Sequence, residues 1–389
     1  MKNAAAQSVM NGARLREQFP ILATSTFLVS HSMGAAPIGA KTALDSYFDE
    51  WAGGGAEAWN LWLPRIAEIA DGIGEIIGAP PGSIFLGPNV SVLQSALASS
   101  LQFTAGRNEV VYEALQFPSL TYVWTEWQRF GAQPRIVPSD DGRTIPTERI
   151  ISAITERTVI AVLSHAYYVS GAIADVRAIQ EHCRRTGTIL CVDAYQTTGV
   201  YPYDVVQWDL DIVTGGSHKW LCGGPGCGWI YVKPSLRESI EPAVTGWMAH
   251  ARPFSFEPAP MTWASSMYRW GNGTPTIPGY MAARPGHDLI RQAGVQRIRE
   301  HNVRLTTLIA ETALERGLRV NTPLDPSRRT GWIGIDFPGS QRAYERLIAE
   351  RVFVDYRPGC GIRVGPHIYT TDDEVGAFFE ALEKARRVT

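Results

Sequence analysis

The chain has 389 residues, 38 acidic and 36 basic side chains, a formal net charge of −2 and 45% hydrophobic residues. That length predicts about two domains, and the near-neutral balance gives no electrostatic case for nucleic acid or an anionic membrane surface. No apolar stretch approaches the roughly 20 residues that span a bilayer, Met1–Pro20 lacks the basic-then-apolar pattern of a secretory signal, and the expected compartment is the cytoplasm.

The five cysteines are scattered (Cys183, Cys191, Cys222, Cys227, Cys360). They suggest neither a disulfide framework nor a zinc site.

In chain order, the first informative stretch holds Trp51, Trp59 and Trp62 around Gly53-Gly54-Gly55. It reads either as a mobile loop with aromatic walls shaping a large substrate pocket, or as a helix packing its tryptophans into the core or a dimer interface. From about residue 60 to 235 short apolar runs alternate with helical patterns. Strands are expected at Ser83–Leu86, Glu109–Glu113, Arg135–Pro138, Val159–Ser164, Ile189–Asp193, Ile212–Thr214 and Gly228–Val232. Helices are expected at Ser91–Leu101, Ser119–Arg129, Thr147–Ala153 and Asp175–Thr186. Such alternation argues for an α/β fold, a mostly parallel sheet with helices on both faces, and ligands then bind beyond the carboxyl ends of the strands.

After a Gly- and Pro-rich loop near Thr274, one long helical pattern runs from Ala282 to Arg316. A smaller α/β unit follows, with strands at Gly331–Phe337, Val352–Tyr356 and Ile362–Val364 and helices at Arg342–Glu350 and Asp372–Arg386. The expected division is an N-terminal segment over residues 1–45 packing on the small domain, a large domain over 46–285 and a small C-terminal domain over 286–389.

The chemistry concentrates at strand ends. Ser164-His165 close one apolar run, Asp193 another, and Ser217-His218-Lys219 follow a third. Loops are wet, so one polar strand end means little. A lysine and an aspartate at successive strand ends mean more. A lysine to hold an aldehyde and a carboxylate to pair with a pyridinium nitrogen are what a pyridoxal 5'-phosphate (PLP) enzyme requires. Lys219 is the expected Schiff-base lysine and general base. Asp193 is the expected partner of the ring nitrogen; its alternative is a turn cap. Ser217 and His218 are expected phosphate donors.

Gly87-Pro88-Asn89-Val90-Ser91 opens a helical run, and a helix N-terminus binds phosphate readily; a plain N-cap is the competing reading. Phe117 is placed either over a cofactor ring or in the core. Arg363, inside apolar Ile362-Arg363-Val364, needs a partner: a substrate carboxylate gripped bidentately or a structural ion pair.

These residues resemble a family. Ser217-His218-Lys219-Trp220 with the following Gly-rich turn, Asp193-Ala194-Tyr195-Gln196 and Gly273-Thr274-Pro275 are similar to motifs of the class V aminotransferase-like PLP enzymes of fold type I. Within that class the chain resembles kynureninase, in His31-Ser32-Met33-Gly34, Phe117-Pro118-Ser119, Gly246-Trp247 with His250, and the segment from Asp355 through Arg363 to Tyr369. The resemblance implies a homodimer with shared sites. It implies cofactor contacts from Val90, Ser91, Phe117, Asp193, Gln196, Ser217, His218, Trp247 and Thr274, the last from the neighbouring subunit. It also implies a substrate carboxylate on Arg363, with Ser32 nearby.

Leu120, Gln196, His218 and Thr274 depart from the kynureninase pattern. Cys360 stands only three residues before Arg363, too near to swing as a persulfide carrier. The expected activity is cleavage at the side chain of an amino acid (Cβ–S or Cβ–Cγ). The alternative is transamination, or a decarboxylative or oxidative deamination.

Overall fold

The computed structural model describes residues 12–387; the first 11 residues of the expected N-terminal segment lie outside the described residues. Seven strands form one sheet in the order Ile84–Gly87, Gly228–Val232, Ile212–Gly216, Ile189–Asp193, Thr158–Ser164, Glu109–Glu113, Gln133–Val137. All neighbours pair in parallel except Gly228–Val232, which is antiparallel to both of its neighbours. The strands Glu109–Glu113, Thr158–Ser164, Ile212–Gly216 and Gly228–Val232 are buried at every residue. Burial on both faces is why they read as continuous apolar runs rather than alternating ones.

Side chains still divide by face. Val111, Ala161 and Leu163 pack with helices Trp59–Ile77 and Val176–Thr186, whereas Val110, Ile160 and Val162 pack with helices Val90–Ser99 and Pro118–Glu126. Local caps set the helix ends. Asp175 accepts from the Ala178 amide to start helix Val176–Thr186, and Gly187 ends it at φ 65°.

Two expectations change. The long pattern from Ala282 is two helices, Ile277–Ala293 and Val295–Glu315, because Gly294 adopts φ 79° and turns the chain. The run Val352–Tyr356 splits. Val352–Phe353 pairs in parallel with Thr26–Phe27, while Asp355–Arg357 joins an antiparallel sheet with Gly361–Val364, Ile333–Asp336 and Arg319–Val320. Gly53 and Gly54 belong to helix Ile38–Gly54, so the tryptophan stretch is helical, with Trp62 buried against Tyr47 and Trp59.

Among the described residues no helix is long and apolar enough to cross a membrane.

Candidate active site

The parallel strands end together. Register pairs Ser164 with Asp193 and Asp193 with Thr214, so the residues just beyond them share one rim. A cavity of about 490 Å³ opens there, walled by residues including Val90, Ser91, Phe117, Leu120, Asp193, Gln196, His218 and Lys219. From the smaller unit and the N-terminal segment come Arg357, Arg363, His31 and Ser32. Chain segments more than 300 residues apart thus meet in one pocket.

The turn carrying Lys219 is fixed by its neighbours. Trp220 is fully buried, and its carbonyl accepts from His367 Nε2 at 2.8 Å. The Cys222 amide donates to the Lys219 carbonyl at 3.0 Å, and the Gly34 amide to the His218 carbonyl at 2.8 Å. This leaves the Lys219 amine between two aromatic faces, 5.1 Å from the Tyr195 centroid and 5.6 Å from that of Phe117. Burial brings its pKa down to about 8; Asp193 opposes that shift, while Arg363 and Arg357 reinforce it. An amine so lowered is uncharged in a far larger fraction near neutral pH than an ordinary lysine, and the uncharged form is the nucleophile.

Asp193 accepts from the Tyr195 amide at 2.9 Å. Burial lifts its carboxyl to about 6; that amide bond and Lys219 pull the other way. A cationic ring nitrogen would supply the partner this buried carboxylate needs. Gln196 donates from Nε2 to the His31 carbonyl at 3.2 Å, while its buried Oε1 has no hydrogen-bond partner. Asn89 caps helix Val90–Ser99, its side chain accepting from the Val92 amide at 3.1 Å. The first turn of that helix, with Val90 and Ser91, therefore faces the cavity with its positive dipole end. An amine, a buried carboxylate, aromatic faces and a helix N-terminus fit the aldehyde, ring nitrogen, ring and phosphate of PLP.

Phe117 is held by its own amide, which donates to Gln116 Oε1 at 2.7 Å; the Ser164 hydroxyl donates to the same oxygen at 2.8 Å. Its ring meets Tyr168 edge-on at 5.4 Å. His218 packs on Tyr195 at 5.4 Å, and burial holds its imidazole down at about 4, hence neutral.

Other expected residues point elsewhere. Ser217 is corrected: its hydroxyl is hydrogen-bonded to His287 Nε2 at 2.8 Å and is absent from the cavity wall, because helix Ile277–Ala293 takes up that side of the turn. His165 turns to the opposite side from Ser164, between Tyr201, Tyr203 and Trp208, as alternation along a strand requires. Trp247 lies outside the cavity, among Trp59, Phe254 and Phe256. Thr274 lines a separate, mainly apolar cavity of about 160 Å³ with Phe85, Met248 and Trp270. Trp51, Trp59 and Trp62 line neither cavity.

Of the two readings of Arg363, the structural ion pair is present. Arg363 lines the cavity and forms a buried ion pair with Asp355, and it donates from Nη1 to the Tyr168 carbonyl at 2.8 Å. Asp355 also takes Arg357 Nη1 at 2.8 Å. Tyr168 escaped the sequence reading, having no motif beyond its place just after a strand end. All five cysteines are buried and absent from the cavity wall. Burial pushes the Cys360 thiol up to about 12, so it is poorly suited to form a nucleophilic thiolate.

The class-V aminotransferase family model matches residues 65–378. An uncharacterized aminotransferase of Bacillus subtilis (strain 168), YcbU, is 30% identical over 360 residues, covering 92% of this chain and 94% of that protein. Kynureninase of Pseudomonas fluorescens is 27% identical over 380 residues, covering 93% and 89%. Among solved structures, the apo cysteine desulfurase of Thermococcus onnurineus NA1 superposes with a TM-score of 0.86 at 18% identity, over 98% of this chain and all of that one. The cystine C-S lyase C-DES, solved with its product cysteine persulfide, gives 0.84 at 20% identity over 94% and 99%. At such identities the two structures speak for the fold alone.

Proposed function

The chain belongs to the class V aminotransferase family and is a PLP-dependent enzyme of fold type I, and from that premise we propose that it cleaves the side chain of an amino acid or amino-acid conjugate at Cβ–S or Cβ–Cγ, in the manner of kynureninase-like lyases and hydrolases. The observation that carries this reading is one cavity holding Lys219 and Asp193 at strand ends and Arg363 across from them. Bound there, PLP supplies an aldehyde for the substrate amine and an electron-accepting ring.

The protein's own groups do the rest. Lys219 holds the aldehyde carbon and then moves the proton at the substrate Cα. Asp193 keeps a proton on the ring nitrogen. Phe117 covers the ring and Gln196 offers its free amide oxygen at the cofactor edge. Val90 and Ser91 hold the phosphate with the helix N-terminus, and His218 flanks the cofactor. Arg363 takes the substrate carboxylate, with Ser32 beside it. In a homodimer, Trp247 and Thr274, which lie away from this chain's own cavity, serve the partner's site.

Transamination is a second reading, supported by the match at 30% identity to an uncharacterized aminotransferase and by buried, apolar Leu120 in the cavity wall. Product analysis by mass after incubation with kynurenine, S-conjugated cysteines and a panel of amino acids separates the two. Alanine with an aryl acid, or pyruvate with ammonia and a thiol, supports cleavage. A keto acid or an amine retaining the whole side chain overturns it.

A further inference from the structure

His31 is fully buried in the cavity wall, and neither ring nitrogen has a hydrogen-bond partner. Its ring is fixed 5.6 Å from Trp332 and 6.4 Å from Trp220, with Nδ1 turned toward Gly365, where a side chain would overlap it. Nε2 lies 3.8 Å from Asp355 Oδ2, just beyond hydrogen-bond reach. A buried polar group left unpaired in one state of a protein calls for a partner in another.

The neighbouring guanidinium shows what that other state is. A carboxylate grips arginine side-on through Nε and Nη2. In Arg363 that edge is half filled. Nη2 is bound to Asp355, whereas buried Nε has no partner. A substrate carboxylate taking both nitrogens brings its charge against Asp355, and two carboxylates on one buried guanidinium repel. Asp355 has somewhere to go. Its Oδ1 stays on Arg357, and a rotation that moves Oδ2 by roughly 1 Å brings it to His31 Nε2.

We propose that His31 is a positioning residue of the carboxylate subsite, donating from Nε2 to Asp355 when the substrate carboxylate displaces Asp355 from Arg363. Asp355 guards the guanidinium in the empty site and His31 receives it in the filled one. The imidazole is neutral for this task, because burial and the cations Arg363, Lys219 and Arg357 hold its pKa well below the ordinary histidine value. The pocket therefore favours amines that carry an α-carboxylate over amines that do not. This inference rests on the PLP reading above.

The test uses PLP-loaded protein titrated with L-alanine and, separately, with ethylamine, followed by the change in the cofactor's absorbance. The native protein should prefer L-alanine. In His31→Phe, which keeps an aromatic ring but cannot donate, that preference should fall about tenfold or more with ethylamine affinity unchanged. In His31→Gln, whose amide still donates, most of it should return. A preference unchanged in His31→Phe, or no preference in the native protein, overturns the inference while leaving the cofactor assignment intact. If His31→Phe fails to fold, His31→Leu, which likewise cannot donate, takes its place: a fallen preference supports the inference and an unchanged one overturns it. Protein that takes up no PLP overturns the functional reading and this inference with it.

Discussion

Gly34 lies against the carbonyl oxygen of Lys219, so closely that a Cβ at residue 34 would overlap it. The Gly34 amide also donates to the His218 carbonyl at 2.8 Å. The N-terminal turn therefore braces the lysine turn, and Gly34→Ala must push them apart. Overpacking of this kind costs about 1–3 kcal/mol. We expect a lowered denaturation midpoint and weaker PLP retention, measured by chemical denaturation and by cofactor absorbance after dialysis.

Lys219 and Asp193 have separable roles. Borohydride should fix PLP covalently on Lys219, and Lys219→Ala should abolish that label; the same label on the variant would refute the assignment. Asp193→Asn should keep PLP but lower turnover on the order of 10²-fold. Since the Lys219 amine is lowered to about 8 by burial, the rate of PLP capture by apo-protein should rise with pH and level off above about 8, a profile read by stopped-flow absorbance.

Arg363→Ala should raise the KM for amino acids about 10²-fold while PLP stays bound. Loss of PLP instead would make Arg363, with its Asp355 partner, a structural residue.

Glu113 gives the fold a specific pH dependence. Its Oε1 accepts from the Ser164 amide at 2.6 Å and its Oε2 is buried without a partner. Burial is the main cause that raises the carboxyl from 4.5 to about 8, and Asp193 adds to it. The folded state therefore binds the proton more tightly than the unfolded chain. That contribution to stability is fully present below about 4.5 and is lost as pH rises through about 8. Glu113→Gln should flatten the fall in stability across this window, as followed by denaturant melts at stepped pH.

If Thr274 serves a partner's site, Thr274→Val should weaken PLP binding in a dimer although Thr274 is outside this chain's own cavity. Affinity should also fall on dilution as the dimer dissociates, measured by sedimentation with absorbance detection.

The sequence by itself determined the sheet and the cofactor. Strands buried on both faces must be written as unbroken apolar runs, so Glu109–Glu113, Ile189–Asp193 and Gly228–Val232 were legible to the residue. The polar residues closing the parallel runs, Ser164 and Asp193 with those after Gly216, then had to stand on one rim, because parallel strands point their ends the same way. Local patterns carry no record of which side a residue in a turn will face. Ser217 was taken by His287 and His165 by three aromatic rings. Nor does spacing say which distant charges meet. The contact of Asp355 with Arg363, its 3.8 Å gap to His31 and the arrival of Tyr168 beside them arise only when the small unit closes over the strand ends. Those contacts bring together residues far apart in the chain, and only tertiary packing decides them.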